Sequence, residues 1–227
     1  MKIKNIRDVS RIEAFSDGVF AISATLLVVS LEVPQNFDQL TEGLLGFIAF
    51  GFSFAALILI WSLHNQFFRR YDLQDGITIV WNSVLLFVVL FYVYPLKYIS
   101  IGFVSSFIKL NSASGLINSL SELRQLFLIY GAGFIAVFLS FALLYNHAFR
   151  KSTELKLSPL EKFEARSTFF SMLIYVAVGM FSVILALTWV GGLHYALPGW
   201  IYGVLGLLHY FHSRRYKIQK QKLSVQK

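Results

Sequence analysis

The chain has 227 residues, of which 56% are hydrophobic and only 14% charged, with a mean hydropathy of +0.64. That balance excludes an ordinary water-soluble domain and points to a polytopic membrane protein. The net charge of +8 needs no nucleic acid to explain it, as the placement of the basic residues shows below, and the absence of cysteine excludes disulfides, thiolate catalysis and thiolate metal sites.

A hydrocarbon core about 30 Å thick needs roughly 20 apolar residues per helix. Six such runs are predicted in chain order, near 12–33, 43–66, 77–100, 122–148, 168–190 and 196–212. Each is expected to be a helix, because a lone spanning segment has no other way to satisfy its peptide groups in lipid. The expected fold is therefore an all-α polytopic membrane protein with six transmembrane helices. It forms one transmembrane domain over 1–227, ending in a basic tail at 213–227. The first run is read as a retained helix rather than a signal peptide: it is too long, carries Asp17, and lacks a small-residue cleavage site before Pro34. A short connection, "RRYDLQDG", follows the second run. The segment "SIGFVSSFIKLNSASGLINSLSE", after the third, reads as an interfacial loop or short helix. In the fourth, Gly131 and Gly133 are predicted to allow close helix packing, as are Gly199 and Gly203 in the sixth. After the fourth run, Ser158, Pro159 and Glu161 predict the start of a short amphipathic helix. Trp81, Tyr92, Tyr94, Tyr98, Trp189, Tyr195 and Trp200 are expected in interfacial belts.

Lysine and arginine fall asymmetrically once these spans are drawn. Four lie in the N-terminal arm (Lys2, Lys4, Arg7, Arg11), two after the second run, five after the fourth and six in the tail, so seventeen of twenty share one side. Lys97, Lys109 and Arg124 remain on the other. This predicts an even number of spans with both termini cytoplasmic, and it accounts for the basicity. The tail "HSRRYKIQKQK" also has the composition to touch anionic membrane lipid.

The first run, "RIEAFSDGVFAISATLLVVSLE", carries the most information. Ser10 followed by Glu13 forms an S-x-x-E capping box, so a helix can begin at the membrane edge with free amide donors satisfied. Arg11, Ser16 and Asp17 are not explained by the cap. A charge near mid-bilayer costs about 2.5–3.5 kcal/mol on insertion scales, so such residues need partners or water. At heptad spacing, Phe15, Ile22 and Val29 form an apolar seam, with Val19, Leu26 and Val33 at the alternate steps. Ser16, Ser23 and Ser30 form a second stripe, and Thr25 lies beside the seam. Spacing alone equally fits a packed helix whose hydroxyls bond back to its own carbonyls.

The pattern R-x-x-x-F-S-D, here Arg11, Phe15, Ser16 and Asp17, continued as "GVFAISATLLVVSLEVP", resembles the first-helix signature of the transmembrane protein 175 family of potassium channels. The resemblance implies six helices per subunit, inside termini, and a homotetramer whose first helices line a central pore. It also implies a hydrophobic constriction in place of a carbonyl-ring filter, and no TVGYG-like segment occurs here. Carried over by position, the constriction is Ile22, with Leu26 and Val29 further along and Thr25 offering a hydroxyl; bacterial relatives often carry leucine at the position of Val29. The signature residues Arg11, Phe15, Ser16 and Asp17 are then expected to meet Trp61, His64 and Asn65 of the second helix in a knot that fixes the pore helix. The implied permeant ion is potassium and the implied location is the plasma membrane. No cofactor, and no metal beyond transient K⁺, is implied.

A proton-coupled carrier is the main rival. Carriers place an ionisable group near the midplane among interrupted helices, whereas Glu13, Asp17, Glu32 and Glu122 all fall near span ends. An enzyme is not expected, since no nucleophile–base pair, H-E-x-x-H or carboxylate cluster is present. His147, His194, His209 and His212 show no metal-ligand spacing.

Overall fold

The computed structural model describes residues 9–29, 35–105, 119–188, 197–206 and 208. They form α1 (Arg11–Val29), α2 (Phe37–Tyr71), α3 (Gly76–Ser105), α4 (Leu120–Arg150), α5 (Pro159–Thr188) and a short α6 (Leu197–Trp200) that runs into a 3₁₀ turn, Ile201–Gly203. Among the described residues, five helices are long and apolar enough to cross a bilayer. Of the sixth predicted run, 196–212, residues 197–206 and 208 are described; the rest of it, the tail at 213–227, the segment 106–118, and Ser30, Glu32 and Val33 lie outside the described residues.

Serine caps set where several helices begin. Ser10 and Glu13 form the predicted box, with Ser10 N donating to Glu13 Oε2 at 2.9 Å and Glu13 N to Ser10 Oγ at 3.3 Å. Ser119 accepts from Glu122 N at 3.2 Å at the head of α4. Ser158 and Glu161 bond reciprocally, at 2.8 and 3.3 Å, ahead of α5. This last box corrects the sequence reading. Nothing breaks the chain between Pro159 and 168, so the predicted amphipathic helix is the first two turns of α5 itself. Once nucleated, a helix propagates past the lipid boundary until a cap or breaker stops it.

α1 packs on α2 and α3, α3 also packs on α4, α4 pairs with α5, and α6 rests on α5. Leu27, Phe67, Phe68, Leu85, Phe141 and Leu144 are fully buried where these layers meet. Glycines permit the close approaches, though not as a single face. A Cβ at Gly131 would press on Val183 of α5, whereas one at Gly133 would overlap the Tyr92 ring of α3. Two residues apart on a helix is about 200°, so the pair serves opposite neighbours. Gly199 lies close to Phe127, and Gly203 faces open space. Tyr92, expected in an interfacial belt, is instead buried in the notch that Gly133 leaves, beside the ring of Tyr130. Tyr94, Tyr98 and Trp200 are exposed, Trp81 packs partly against the core, and Trp189 and Tyr195 lie outside the described residues.

The N-terminal ends of α1, α3 and α5 and the C-terminal ends of α2 and α4 share one end of the bundle. There Arg70 pairs with Glu164, joining α2 to α5. Arg69, Arg150, Lys151, Lys156, Lys162 and Arg166 gather with Arg70 at the same end, while the other basic residues counted on that side, apart from Arg11, lie outside the described residues.

Candidate functional site

The two faces of α1 are chemically distinct. Ser16, Phe20, Ser23 and Leu27 are buried against α2 and α3, at steps of four, three and four. Phe15 (66% exposed), Ile22 (56%) and Val29 (71%) lie on the opposite face, largely uncovered by the described residues of the subunit. Gly18 and Thr25 are exposed at the intervening steps. The seam predicted through Val19 and Leu26 therefore runs differently. Val19 is buried and Leu26 is half-buried against the subunit's own core, and the alternate positions of the open stripe are a glycine and a threonine. Hydropathy treats both faces as equally apolar, so it does not tell them apart. Thr25 Oγ1 donates to Ala21 O at 2.9 Å, which satisfies its proton locally and leaves its oxygen lone pairs facing the open side.

The buried face is tied down by a polar chain. Ser16 Oγ donates to Ile12 O at 2.7 Å and accepts from Asn82 Nδ2 of α3 at 2.9 Å. Asn82 Oδ1 in turn lies 2.8 Å from His64 Nε2 of α2, and the His64 ring sits beside Phe20 and Phe68. Next to this chain, Trp61 Nε1 donates to Asp17 Oδ1 at 2.8 Å. Of the expected knot, the structure brings Ser16, Asp17, Trp61 and His64 together. Among the described residues it leaves out three: Arg11, exposed on the first turn of α1, Phe15, on the open stripe, and Asn65, one residue past His64 and so about 100° round the helix. Asn82 takes the bridging place. A lone amide inside the apolar run "IVWNSVLL" was the signal for it, because an intramembrane amide needs a partner.

A second cluster, which the sequence reading left without a role, lies at the basic end, with Asp75, Lys151 and Glu154 just outside the spans and Thr78 and His147 at their ends. Asp75 caps α3 by accepting from Thr78 N at 3.1 Å, and also accepts from the Thr78 hydroxyl. His147 Nε2 of α4 lies 2.7 Å from Asp75 Oδ2, with Lys151 Nζ at 3.2 Å, and Lys151 also reaches Glu154 at 3.0 Å. Burial pushes the Asp75 carboxyl up, but its bonds from Thr78, His147 and Lys151 outweigh that and hold it well below the usual carboxylate range. Glu154 and Asp75 together push Lys151 up. Because the folded Asp75 titrates below an unfolded one, its stabilisation is complete above about pH 4 and is lost as the pH falls toward the folded value. Thermal midpoints of the detergent-solubilised protein should therefore drop as the pH is lowered from 5 to 3. Asp75→Asn should lower the midpoint at pH 7 and flatten that acid-limb slope; an Asn variant with the wild-type slope would remove Asp75 from this role.

The profile of the family described as "Endosomal/lysosomal potassium channel TMEM175" matches residues 11–92, which hold α1, its anchors on α2, and Asn82. A potassium channel from Marivirga tractuosa is 38% identical over 184 residues, covering 78% of this chain and 74% of its own. The chain belongs to the TMEM175 family. A crystal structure of a variant of the potassium channel MtTMEM175, in complex with a nanobody–MBP fusion, resembles this TMEM175 chain with a TM-score of 0.78 at 33% identity, over 98% of this chain and 96% of that one. A homologue, from Chamaesiphon minutus, of the lysosomal potassium-selective channel TMEM175 gives a TM-score of 0.51 at 28% identity, over 91% of this chain and 96% of that one. These TMEM175 relatives are named as channels rather than enzymes, and the present member, like them, is an all-helical multi-pass membrane protein.

Proposed function

We propose that this TMEM175 chain is a subunit of a potassium-selective, leak-type channel in the plasma membrane. Four copies surround an axis lined by α1, with both termini of each copy in the cytoplasm. The observation that carries the proposal is the open stripe of α1, an uncovered apolar row with one in-line hydroxyl, on a helix whose other face is fixed by buried hydrogen bonds. Under fourfold symmetry Ile22 forms the narrowest ring, Val29 extends it, Leu26 flanks it from its half-buried position, and Thr25 offers four hydroxyl oxygens beside it. A constriction of branched aliphatic side chains refuses ions that keep their hydration shell. Potassium sheds water at lower cost than the smaller sodium ion, so an apolar ring backed by a few oxygens favours potassium. Ser16, Asp17, Trp61 and His64, joined by Asn82, then act in holding the pore helix at its tilt, not in contacting the ion, while Phe15 lies on the open stripe and Arg11 and Asn65 stand outside the knot. The membrane arrangement follows the charge asymmetry, with the basic end on the cytoplasmic side.

Reconstituted protein in planar bilayers tests this directly. The expected result is a current that reverses near the potassium equilibrium potential under a KCl/NaCl gradient and needs no proton exchange. Potassium flux that occurs only with stoichiometric proton countertransport would replace the channel by a carrier.

A further inference from the structure

Among the described residues, the hairpin between α4 and α5 carries positive charge that no carboxylate neutralises. Its acids are already engaged: Glu154 with Lys151, Glu161 with the Ser158 cap, and Glu164 with Arg70. Among the described residues, Arg150, Lys156, Lys162 and Arg166 have no carboxylate partner. Two of these cations are instead laid on aromatic rings. Lys162 Nζ is 5.6 Å from the centroid of Phe149, and the Arg166 guanidinium is 5.9 Å from that ring and 5.8 Å from Phe170. Phe149 is partly buried against the core, which makes it a fixed shelf, while Phe170 is 47% exposed one turn further along α5.

Depth gives this arrangement its meaning. α5 has 30 residues, about 45 Å of helix against a hydrocarbon layer of about 30 Å, so its first turns project into the headgroup region. With the fifth apolar run beginning near 168, Lys162 and Arg166 fall on the headgroup side of that boundary and Phe170 on the acyl side. Cation–π contact orients the two charged groups without discharging them, and a guanidinium beside an ammonium matches the oxygens of a phosphodiester. An exposed phenylalanine just below suits an acyl chain and not a free anion. We propose that Lys162 and Arg166, propped on Phe149 and Phe170, form a headgroup site for an anionic phospholipid of the leaflet at the basic end of the bundle.

Native mass spectrometry of the full-length, detergent-solubilised protein tests the site, with phosphatidylglycerol and phosphatidylcholine titrated separately. Wild type should retain phosphatidylglycerol in preference to phosphatidylcholine. Each basic group near an anionic surface contributes about fivefold, so Lys162→Gln combined with Arg166→Gln should weaken phosphatidylglycerol binding roughly 30-fold and leave phosphatidylcholine binding unchanged. Lys162→Arg combined with Arg166→Lys should keep the preference. Both side chains are exposed, and if the double glutamine variant does not assemble, each single variant should show about a fivefold loss. Undiminished phosphatidylglycerol binding in the glutamine variants, or equal binding of the two lipids to wild type, would overturn the proposal. So would displacement of phosphatidylglycerol by glycerol phosphate at equal concentration, which would mean a free-anion site.

Discussion

Ile22→Asn should raise single-channel conductance about tenfold, the change expected when a barrier falls by about 1.4 kcal/mol. Four amides would replace four branched aliphatic side chains at the proposed ring, offering oxygens and hydrogen-bond donors where the wild type offers only methyl groups. The cost of stripping the ion's water falls most for sodium, whose shell is the tighter, so the potassium-to-sodium permeability ratio should fall as the current rises. Ile22 is exposed on the uncovered stripe of α1 and makes no core contact that the fold requires, so the variant should assemble normally. Bilayer recordings under bi-ionic conditions read both quantities. Wild-type conductance with a wild-type ratio would move the constriction away from Ile22.

Asn82→Ala should act in the opposite way, on assembly and not on permeation. The amide bridges Ser16 of α1 and His64 of α2, and all three side chains are buried. Removing it strands the His64 ring nitrogen away from water, at about 1–3 kcal/mol, while Ser16 keeps its bond to Ile12 O. That loss is a large share of the roughly 5–15 kcal/mol that typically holds a fold together. Size-exclusion yield and denaturation midpoint should fall sharply, while any assembled fraction keeps the wild-type permeability ratio. Normal yield with an altered ratio would show instead that Asn82 acts on the ion path. A double-mutant cycle with Ser16→Ala separates the shared bond from the cavity that the substitution leaves, because only residues in one network show strong coupling.

The two substitutions thus probe the two faces of one helix, and those faces were not equally legible in the sequence. The row Phe15, Ile22 and Val29 is a matter of helical period, which is local, so it could be read directly. Its neighbours could not. Val19 and Thr25 are both at seam-compatible spacing, yet the fold buries the first and opens the second. In a membrane helix the lipid-facing, protein-facing and axis-facing sides are all apolar, so no hydropathy pattern ranks them. The polar knot was half legible for a related reason. Asp17 and Trp61 and the Ser16–His64 pair follow from which helix ends meet, but the choice of Asn82 over Asn65 depends on the rotation of α2 and α3.

What the amino-acid sequence determined by itself is everything that depends on one segment and its solvent: helices long enough to cross a bilayer, the Ser10–Glu13 and Ser158–Glu161 caps, and the gathering of basic residues at one end. Only the tertiary structure decided which groups meet across helices. Asp75 and His147 lie far apart in the chain with no motif linking them, and they touch because α3 packs on α4. Tyr92 leaves the interface for the interior because Gly133 gives its ring room. The physical reason is the same in each case. Hydropathy and capping are properties of a single helix, whereas the rotation of one helix against the next is set by the shapes of side chains supplied by both.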